Sequence, residues 1–313
     1  MEPTTILWII FGLTVPVMLA LDLGVFHRES HAVGTREALI WSAVWIGLSL
    51  AFGGLVWWWM GSGAAAEYVT AYIIEKSLSV DNIFVFLVIF SYFGIQDRYQ
   101  HRVLFWGILT AVALRAVLII VGVAVIERFQ WLAYILGGVL IVTGLRMLIE
   151  TRRQYEPGKN PVVRVAQRFL PVDPDASQEH FVVKKGGKWY GTPLVLVLVA
   201  IETTDVIFAL DSIPAVIAVT RDPLIAFTSN IFAVLGLRAL YFALAGIMGR
   251  FKYLHHGLAL VLVLIGAKMS LEEVVHVPIG YTLGAVGLIL LLSVVASLLA
   301  PPDSTEDAVS DGS

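Results

Sequence analysis

The sequence predicts an all-α polytopic membrane protein with about nine transmembrane helices, and three observations lead to this fold class. Apolar residues make up 58% of the 313 residues and charged residues 14%, against roughly 45–50% and 25% in a soluble domain. Apolar stretches of about 20 residues, the length that crosses a bilayer as a helix, recur along the chain. Lysine and arginine lie mainly in alternate connections. This composition excludes a disordered chain, a disulfide scaffold and a nucleic-acid-binding protein.

Turn-forming residues separate the apolar segments. Residues 61–63 divide the second segment from the third, residues 221–223 divide the sixth from the seventh, and two prolines at 301–302 follow the last. Barrel strands are excluded because they would alternate over short stretches. The first segment has no positively charged region before it and is too long for a signal peptide, so we expect it to be retained. The nine segments are roughly 4–26, 38–60, 66–93, 103–126, 130–149, 192–219, 224–248, 254–271 and 277–299.

The distribution of lysine and arginine predicts the orientation in the membrane. The connections on one side carry only Arg128 and Arg221, whereas those on the other side carry 14 such residues, eight of them in the loop 151–191. Because positively charged loops remain in the cytoplasm, the N-terminus should lie outside and the C-terminus inside a cell inner (plasma) membrane.

An internal repeat organises the predicted helices. Residues 75–86 resemble 205–216, residues 113–117 resemble 236–240, and residues 144–147 resemble 266–269, in the same order. Each unit holds three helices, and because three is odd the second unit is inverted relative to the first, as in many transporters. We therefore divide the chain into a transmembrane transport domain, 1–300, and a disordered acidic tail, 301–313. Within the domain, repeat one is 66–150, repeat two is 192–272 and the cytoplasmic loop is 151–191.

Several charged residues fall inside the predicted helices. Charges at this depth are costly, so they should face one another or water. Steps of three and four residues return to one helix face, which places two stripes of polar side chains on the third and sixth helices. Asp81 and Asp211 are repeat-equivalent and lie about one residue's rotation from these stripes, while Asp22 lies near the cytoplasmic end of the first helix. The stripes are Glu75, Ser79 and Asn82, and Glu202, Asp205 and Ser212.

The donor atoms of these side chains are oxygens, which suit Mn²⁺, Mg²⁺ or Ca²⁺. The chain has no cysteine, and no histidine lies in the stripes, so Zn²⁺ and Cu⁺ fit poorly. Two other interpretations remain open: Arg115 and Arg238 could neutralise Asp81 and Asp211 in structural pairs, or the acids could form a proton relay. We expect Lys76 and Lys268 to be counter-charges, and His255 and His256 to be solvated at a loop edge.

Residues 75–82 and 202–215 resemble the two signature segments of the TerC family, most closely its Alx-like branch. Residues 228–238 and 179–183 add to the resemblance, which runs from about Asp22 to the end of the ninth helix. It implies an inner-membrane protein of the LysE-type exporter superfamily, with manganese export in this branch and tellurite resistance in the name-giving branch. It also implies that the metal site is formed by Glu75, Asp81, Asn82, Glu202, Asp205 and Asp211.

The leading functional hypothesis is a secondary exporter of Mn²⁺ that is not an enzyme and has no resident cofactor. Its partners are then the divalent ion and the lipid bilayer. Ser79, Ser212 and Asp22 are possible further ligands, and Arg115 and Arg238 are expected to balance the empty site as counter-charges. The alternatives are a non-transporting scaffold or sensor for metal or tellurite stress, a Ca²⁺/H⁺ type of cation exchanger, and an intramembrane enzyme, for which the sequence offers no motif.

The orientation is directly testable. A topology reporter inserted in the loop 151–191 should give a cytoplasmic signal, because this loop carries eight of the basic residues. A reporter in the connection around Arg221 is the matched control and should give an external signal. A periplasmic signal from the first insertion would reverse the orientation.

Overall fold

The computed structural model describes residues 2–26, 34–129, 131–149, 161–169, 171–173, 176, 179–245, 253–271 and 277–300. The predicted tail, the basic residues Arg250 and Lys252 and the prolines at 301–302 lie outside these ranges. Ten helices and one hairpin are formed by the described residues. They are α1 (Pro3–Phe26), α2 (Thr35–Tyr92), α3 (Asp97–Arg128), α4 (Leu132–Ile149), α5 (Pro161–Phe169), β1 (Val182–Lys185), β2 (Lys188–Gly191), α6 (Pro193–Val219), α7 (Pro223–Leu235), α8 (Leu237–Leu244), α9 (Leu254–Leu271) and α10 (Ile279–Leu299).

The predicted fold class is confirmed, with one difference in the count of helices. Among the described residues, eight helices are long and apolar enough to cross a membrane. The second and third predicted helices both lie in α2, whose 58 residues would extend about 87 Å, almost three times a hydrocarbon layer of about 30 Å. Gly61 interrupts α2 with φ 91° and ψ 176°, a conformation that favours glycine. The single element therefore has the length for two crossings.

The predicted seventh helix is divided at Gly236 into α7 and α8. Lys76 Nζ donates a hydrogen bond of 3.1 Å to the carbonyl oxygen of Ala233, the group that Leu237 N–H would bind in a continuous helix. A Cβ atom on Gly236 would lie 2.7 Å from Lys76 Nζ and 3.1 Å from Trp45 Cβ. The lysine and the missing Cβ together explain why the helix is interrupted here, which the sequence did not predict.

Each helix of one predicted repeat unit packs on a helix of the other, and the pairs of helices correspond between the units. The third helices of the two units, α4 and α9, pack most extensively on each other, while α2 packs on α7 and α8, and α3 packs on α6. At the α4–α9 contact, Gly144 faces Ala259 and Val263. In these helices, equivalent positions of the two repeats are 122 residues apart, so Gly144 corresponds to Gly266, and Ala259 and Val263 correspond to Gly137 and Ile141. The equivalent contacts, of Gly266 with Gly137 and Ile141, are also present. Such reciprocity is what a two-fold relation between the units predicts, although the relation itself remains a prediction.

The loop before α6 contains the predicted hairpin. Strands β1 and β2 pair antiparallel, with Lys185 opposite Lys188. Gly186 and Gly187 have φ values of 60° and 82°, and two successive positive φ angles form the turn that joins strands most tightly. Lys185 also binds Asp173 at 2.7 Å, so the hairpin is attached to the preceding chain.

The α4–α9 contact provides a test of the packing. Gly144→Leu should lower the free energy of unfolding by about 1–3 kcal/mol, the usual cost of overpacking, because a Cβ there would lie 2.6 Å from the carbonyl oxygen of Ala259. Gly138→Leu on the same helix is the control, since nothing lies within 4 Å of its Cβ position. Denaturant unfolding in detergent measures both, and equal losses would contradict the close approach.

Candidate functional site

The candidate site is a cluster of charged side chains from three helices in the centre of the bundle. Arg115 on α3 donates from Nη2 to Asp205 Oδ1 at 3.1 Å and from Nε to Asp205 Oδ2 at 3.5 Å. Its Nη1 atom donates to Glu75 Oε1 on α2 and lies 3.4 Å from Ser212 Oγ on α6. Two acids that the sequence places at equivalent repeat positions therefore meet on one guanidinium group.

The cluster is almost completely removed from the surface. Glu75, Arg115 and Asp205 are exposed by 1%, 1% and 4%. Two carboxylates and one guanidinium leave a formal charge of −1 when both acids are ionised. Glu75 Oε2 is buried and has no hydrogen-bond partner among the described residues. Buried carboxylate oxygens are normally paired, so this free oxygen indicates that the cluster can accept a further positive charge or donor.

Five of the six residues in the two predicted polar stripes are buried, and the sixth, Glu202, is half-buried. Ser79 and Asn82, one and two turns after Glu75, are buried on α2. On α6, Asp205 and Ser212 both contact Arg115, and Glu202 is half-buried and accepts a hydrogen bond from Thr110 Oγ1 of α3. The spacing of these residues within each helix was sufficient to place them on the correct face.

Asp81 and Asp211 lie away from the central cluster. Asp81 Oδ1 is 3.2 Å from His255 Nδ1, and the two side chains are 25% and 21% exposed. Asp211 is half-buried and accepts a hydrogen bond of 3.5 Å from Thr143 Oγ1 on α4. The alternative in which Arg115 neutralises Asp81 is therefore wrong, because the guanidinium of Arg115 is bound by Glu75 and Asp205.

The remaining predicted residues occupy separate positions. Arg238 is buried on α8 with 2% exposure, and the side chain of Asp22 lies outside the described part of the structure. Lys76 and Lys268 donate to backbone carbonyls, at 3.1 Å to Ala233 and at 3.5 Å to Ala218. These hydrogen bonds hold the ammonium groups at main-chain oxygens of neighbouring helices.

Sequence reasoning missed three polar partners of the acids: His255, Thr110 and Thr143. We expected His255 and His256 to be solvated, but both are partly buried in the first turn of α9, and His255 faces Asp81. The sequence did not identify Thr110 and Thr143 as partners of the acids, because threonine hydroxyl groups in membrane helices often bond to the backbone of their own helix. Thr110 Oγ1 has a single proton, and the carbonyl oxygen of Trp106, at 2.8 Å, is an alternative acceptor for it.

The six predicted metal ligands thus do not meet at one point, because the acids among them bind different partners. Within the described ranges, no three histidine, aspartate or glutamate side chains converge as a ready-formed metal centre. What the structure does form is a buried pair of carboxylates that already holds a cationic group.

Comparison with known proteins identifies a family and several relatives. Residues 60–305 match the family described as "Integral membrane protein TerC family". The chain is 50% identical over 305 residues to an uncharacterized membrane protein, STKORF319, of Myxococcus xanthus, covering 96% of each chain. It is 44% identical over 301 residues to the "Putative membrane-bound redox modulator Alx" of Escherichia coli strain K12, covering 93% of this chain and 94% of that protein. No solved structure matches the chain.

The buried cluster predicts a large cost for removing its cation. Arg115→Met leaves two carboxylates buried without a counter-charge, and such a loss typically costs about 3–5 kcal/mol of unfolding free energy. Adding Glu75→Gln to this variant should recover part of the loss, with a coupling energy of roughly 0.5–3 kcal/mol.

Thr143→Val is the control for this experiment. It removes a single hydrogen bond to Asp211 and should cost about 0.5–1.5 kcal/mol. Denaturant unfolding of the purified protein in detergent measures all the variants. If Arg115→Met were no less stable than Thr143→Val, the cluster would not be an important source of stability.

Proposed function

Because the chain belongs to the TerC family of integral membrane proteins, we propose that it is a secondary transporter that exports divalent metal ions, with Mn²⁺ as its substrate. The observation that carries this proposal is the convergence of Glu75 and Asp205 on the single cation of Arg115. A pair of buried carboxylates in a membrane is costly unless it is neutralised. In this proposal Arg115 neutralises the empty site and the metal ion replaces it.

The donor atoms around the cluster support a divalent ion that prefers oxygen ligands. Glu75 and Asp205 supply carboxylates, Ser212 supplies a hydroxyl, and Glu75 Oε2 is free to coordinate. A divalent cation between two carboxylates gives a neutral unit, whereas a monovalent one leaves a net charge. Oxygen donors suit Mn²⁺, Mg²⁺ and Ca²⁺. The choice of Mn²⁺ is carried over from the family resemblance, as is the placement in the LysE-type exporter superfamily.

In this proposal Asp81 and Asp211 bind the ion on either side of the central pair, Glu75 and Asp205. Asp81 lies six residues beyond Glu75, and its repeat equivalent Asp211 lies six residues beyond Asp205, which corresponds to about 9 Å along a helix. In inverted units these two displacements point toward opposite faces of the membrane. The ion would therefore pass from Asp81 on the cytoplasmic side to the central pair and then to Asp211 on the outer side.

Rocking of the two repeat units supplies the alternating access. The α4–α9 contact through Gly144 and Gly266 brings the backbones close together and can act as the surface on which the units move. The sequence has no Walker A motif, so the chain does not hydrolyse ATP by itself, and the ion gradient or a counter-ion must drive export. Protons are suitable counter-ions, because carboxylates that release a metal ion can take up protons.

The name of the Escherichia coli relative describes a redox modulator. A redox function through thiols of this chain is excluded, since it has no cysteine. Removal of a redox-active transition ion from the cytoplasm would alter the redox balance without any thiol in the transporter. The export hypothesis can therefore account for a redox effect, whereas a scaffold or sensor would need an additional partner.

Asp205→Asn tests the proposed function. In cells that lack other manganese exporters, the protein should lower intracellular manganese, and this variant should abolish the effect because Arg115 loses one of its two carboxylate partners and the metal ion a strong ligand. Elemental analysis of washed cells measures the manganese content, with membrane abundance checked by immunoblotting.

Asp173→Asn is the matched control, because this acid pairs with Lys185 at the hairpin, away from the cluster. The control should export like the unchanged protein. Unchanged manganese content together with lowered calcium would assign the chain to cation exchange of the Ca²⁺ type. No change in any metal ion would support the scaffold or sensor alternative.

A further inference from the structure

Two cavities lie between α2, α3 and α8, and residues of α6 also line the smaller one. The larger, the mouth cavity, has a volume of about 290 Å³ and is lined by residues that include Phe90, Asp97, Gln100, Tyr241 and Ala245. The smaller, the inner void, holds only about 10 Å³ and is lined by residues that include Phe86, Leu104, Ile108, Ala111, Asp205 and Leu237. A void of this size is at the lower limit for a single water molecule.

The same helix faces line both cavities and end at the charged cluster. On each helix, residues from the two linings can be joined by steps of three or four, which places them on one continuous stripe. The stripe of α8 runs through Leu237, Tyr241 and Ala245. That of α3 runs through Asp97, Gln100, Leu104, Ile108 and Ala111, and Arg115 follows Ala111 by four residues on the same helix. On α2, the stripe from Phe90 through Phe86 continues to Asn82, Ser79 and Glu75.

We call the line of contact between these three stripes, from the mouth cavity to the charged cluster, the seam. Polar and aromatic contacts close the seam between its two ends. Tyr241 donates a hydrogen bond of 2.7 Å to Gln100 Oε1, which joins α8 to α3. Gln100 Nε2 is itself held by the carbonyl oxygen of Ile95 and by Asp97 Oδ1, at 3.1 Å each. The ring of Phe90 packs edge-on against Tyr241, with centroids 5.6 Å apart. Beyond them, Phe86, Leu104 and Leu237 make the inner void apolar.

We propose that the seam between α2, α3 and α8 is the entrance through which a hydrated divalent cation reaches the Glu75–Arg115–Asp205 cluster, and that the Gln100–Tyr241 hydrogen bond keeps it closed. This inference rests on the proposed function and adds the route. The mouth cavity lies where α2 ends and α3 begins, which is the cytoplasmic side in the predicted orientation. Export requires the ion to be taken up from that side.

The lining of the seam suits a cation that enters with its water. Asp97 places a carboxylate in the polar mouth cavity, where it attracts positive ions. The inner void is too small and too apolar for a hydrated ion, and such a constriction blocks conduction by excluding water. Separation of Tyr241 from Gln100 would allow α8 to move from α3 and would widen the void beside Asp205.

The test uses the absence of cysteine from the chain, so that a single introduced cysteine reacts alone. Ala111→Cys lies in the inner void and Ala245→Cys in the mouth cavity. A small cationic thiol reagent is applied to inside-out membrane vesicles, and the rate of modification is measured. Ala245→Cys should react rapidly. Ala111→Cys should react slowly, and roughly tenfold faster when Tyr241→Phe removes the hydroxyl group that holds the seam closed.

Two further variants complete the design. Ala259→Cys is the control, because this fully buried residue lies on α9 against α4, outside the seam, and should stay unreactive with or without Tyr241→Phe. Leu237→Cys is a second position in the inner void and replaces Ala111→Cys if that variant does not reach the membrane. Added Mn²⁺ should slow the modification at both inner positions.

The outcomes separate the route from the substrate. If both inner positions react no faster than Ala259→Cys in either background, the seam is not a route and the proposal is wrong. If Ala111→Cys reacts in right-side-out vesicles but not in inside-out ones, the entrance belongs to the opposite side and the proposal is again wrong. Labelling in the expected pattern without any Mn²⁺ efflux would support the seam as the aqueous route and would overturn Mn²⁺ as the exported ion.

Discussion

The cost of placing ionised groups in hydrocarbon is the constraint on which this structure depends. Glu75, Arg115 and Asp205 come from three different helices, and each would be strongly unfavourable alone. Because one guanidinium contacts both carboxylates, α2, α3 and α6 cannot rotate or slide independently without exposing a charge. In this conformation the cluster therefore holds together the first helices of the two predicted repeat units, and apolar side chains pack around it.

The same turn of α2 also determines the irregularity on its other side. Lys76 follows Glu75 directly and points toward α7, where its ammonium group binds the carbonyl oxygen of Ala233. The break between α7 and α8 consequently lies beside the turn of α2 that carries the charged cluster. Irregular backbone at membrane depth persists only where it is buried in protein or lines a cavity, and α8 does line the seam that ends at Asp205. One pair of adjacent charges thus organises both the cluster and its approach.

The sequence was sufficient for features that depend on local periodicity and insufficient for those that depend on contacts between helices. The spacing of Glu75, Ser79 and Asn82 placed them on one face because the helical period is independent of what the face meets. Spacing does not reveal which helix stands opposite, so the partners of Arg115 and the contact of Asp81 with His255 were not predicted. The interruption at Gly236 was missed for the same reason, since it depends on a lysine from another helix.

The chemical differences between the two predicted repeats bear on the path proposed for the ion. A perfectly symmetric inverted repeat would present the same site to both faces and would give no preference for either. Here Asp81 is joined by an imidazole and its repeat equivalent Asp211 by a hydroxyl, while the central acids are a glutamate and an aspartate. Imidazole nitrogen binds transition ions more strongly than a hydroxyl group does. On the proposed path the ion would therefore be bound more firmly at Asp81 than at Asp211, and the ion gradient or the counter-ion would still set the direction of net transport.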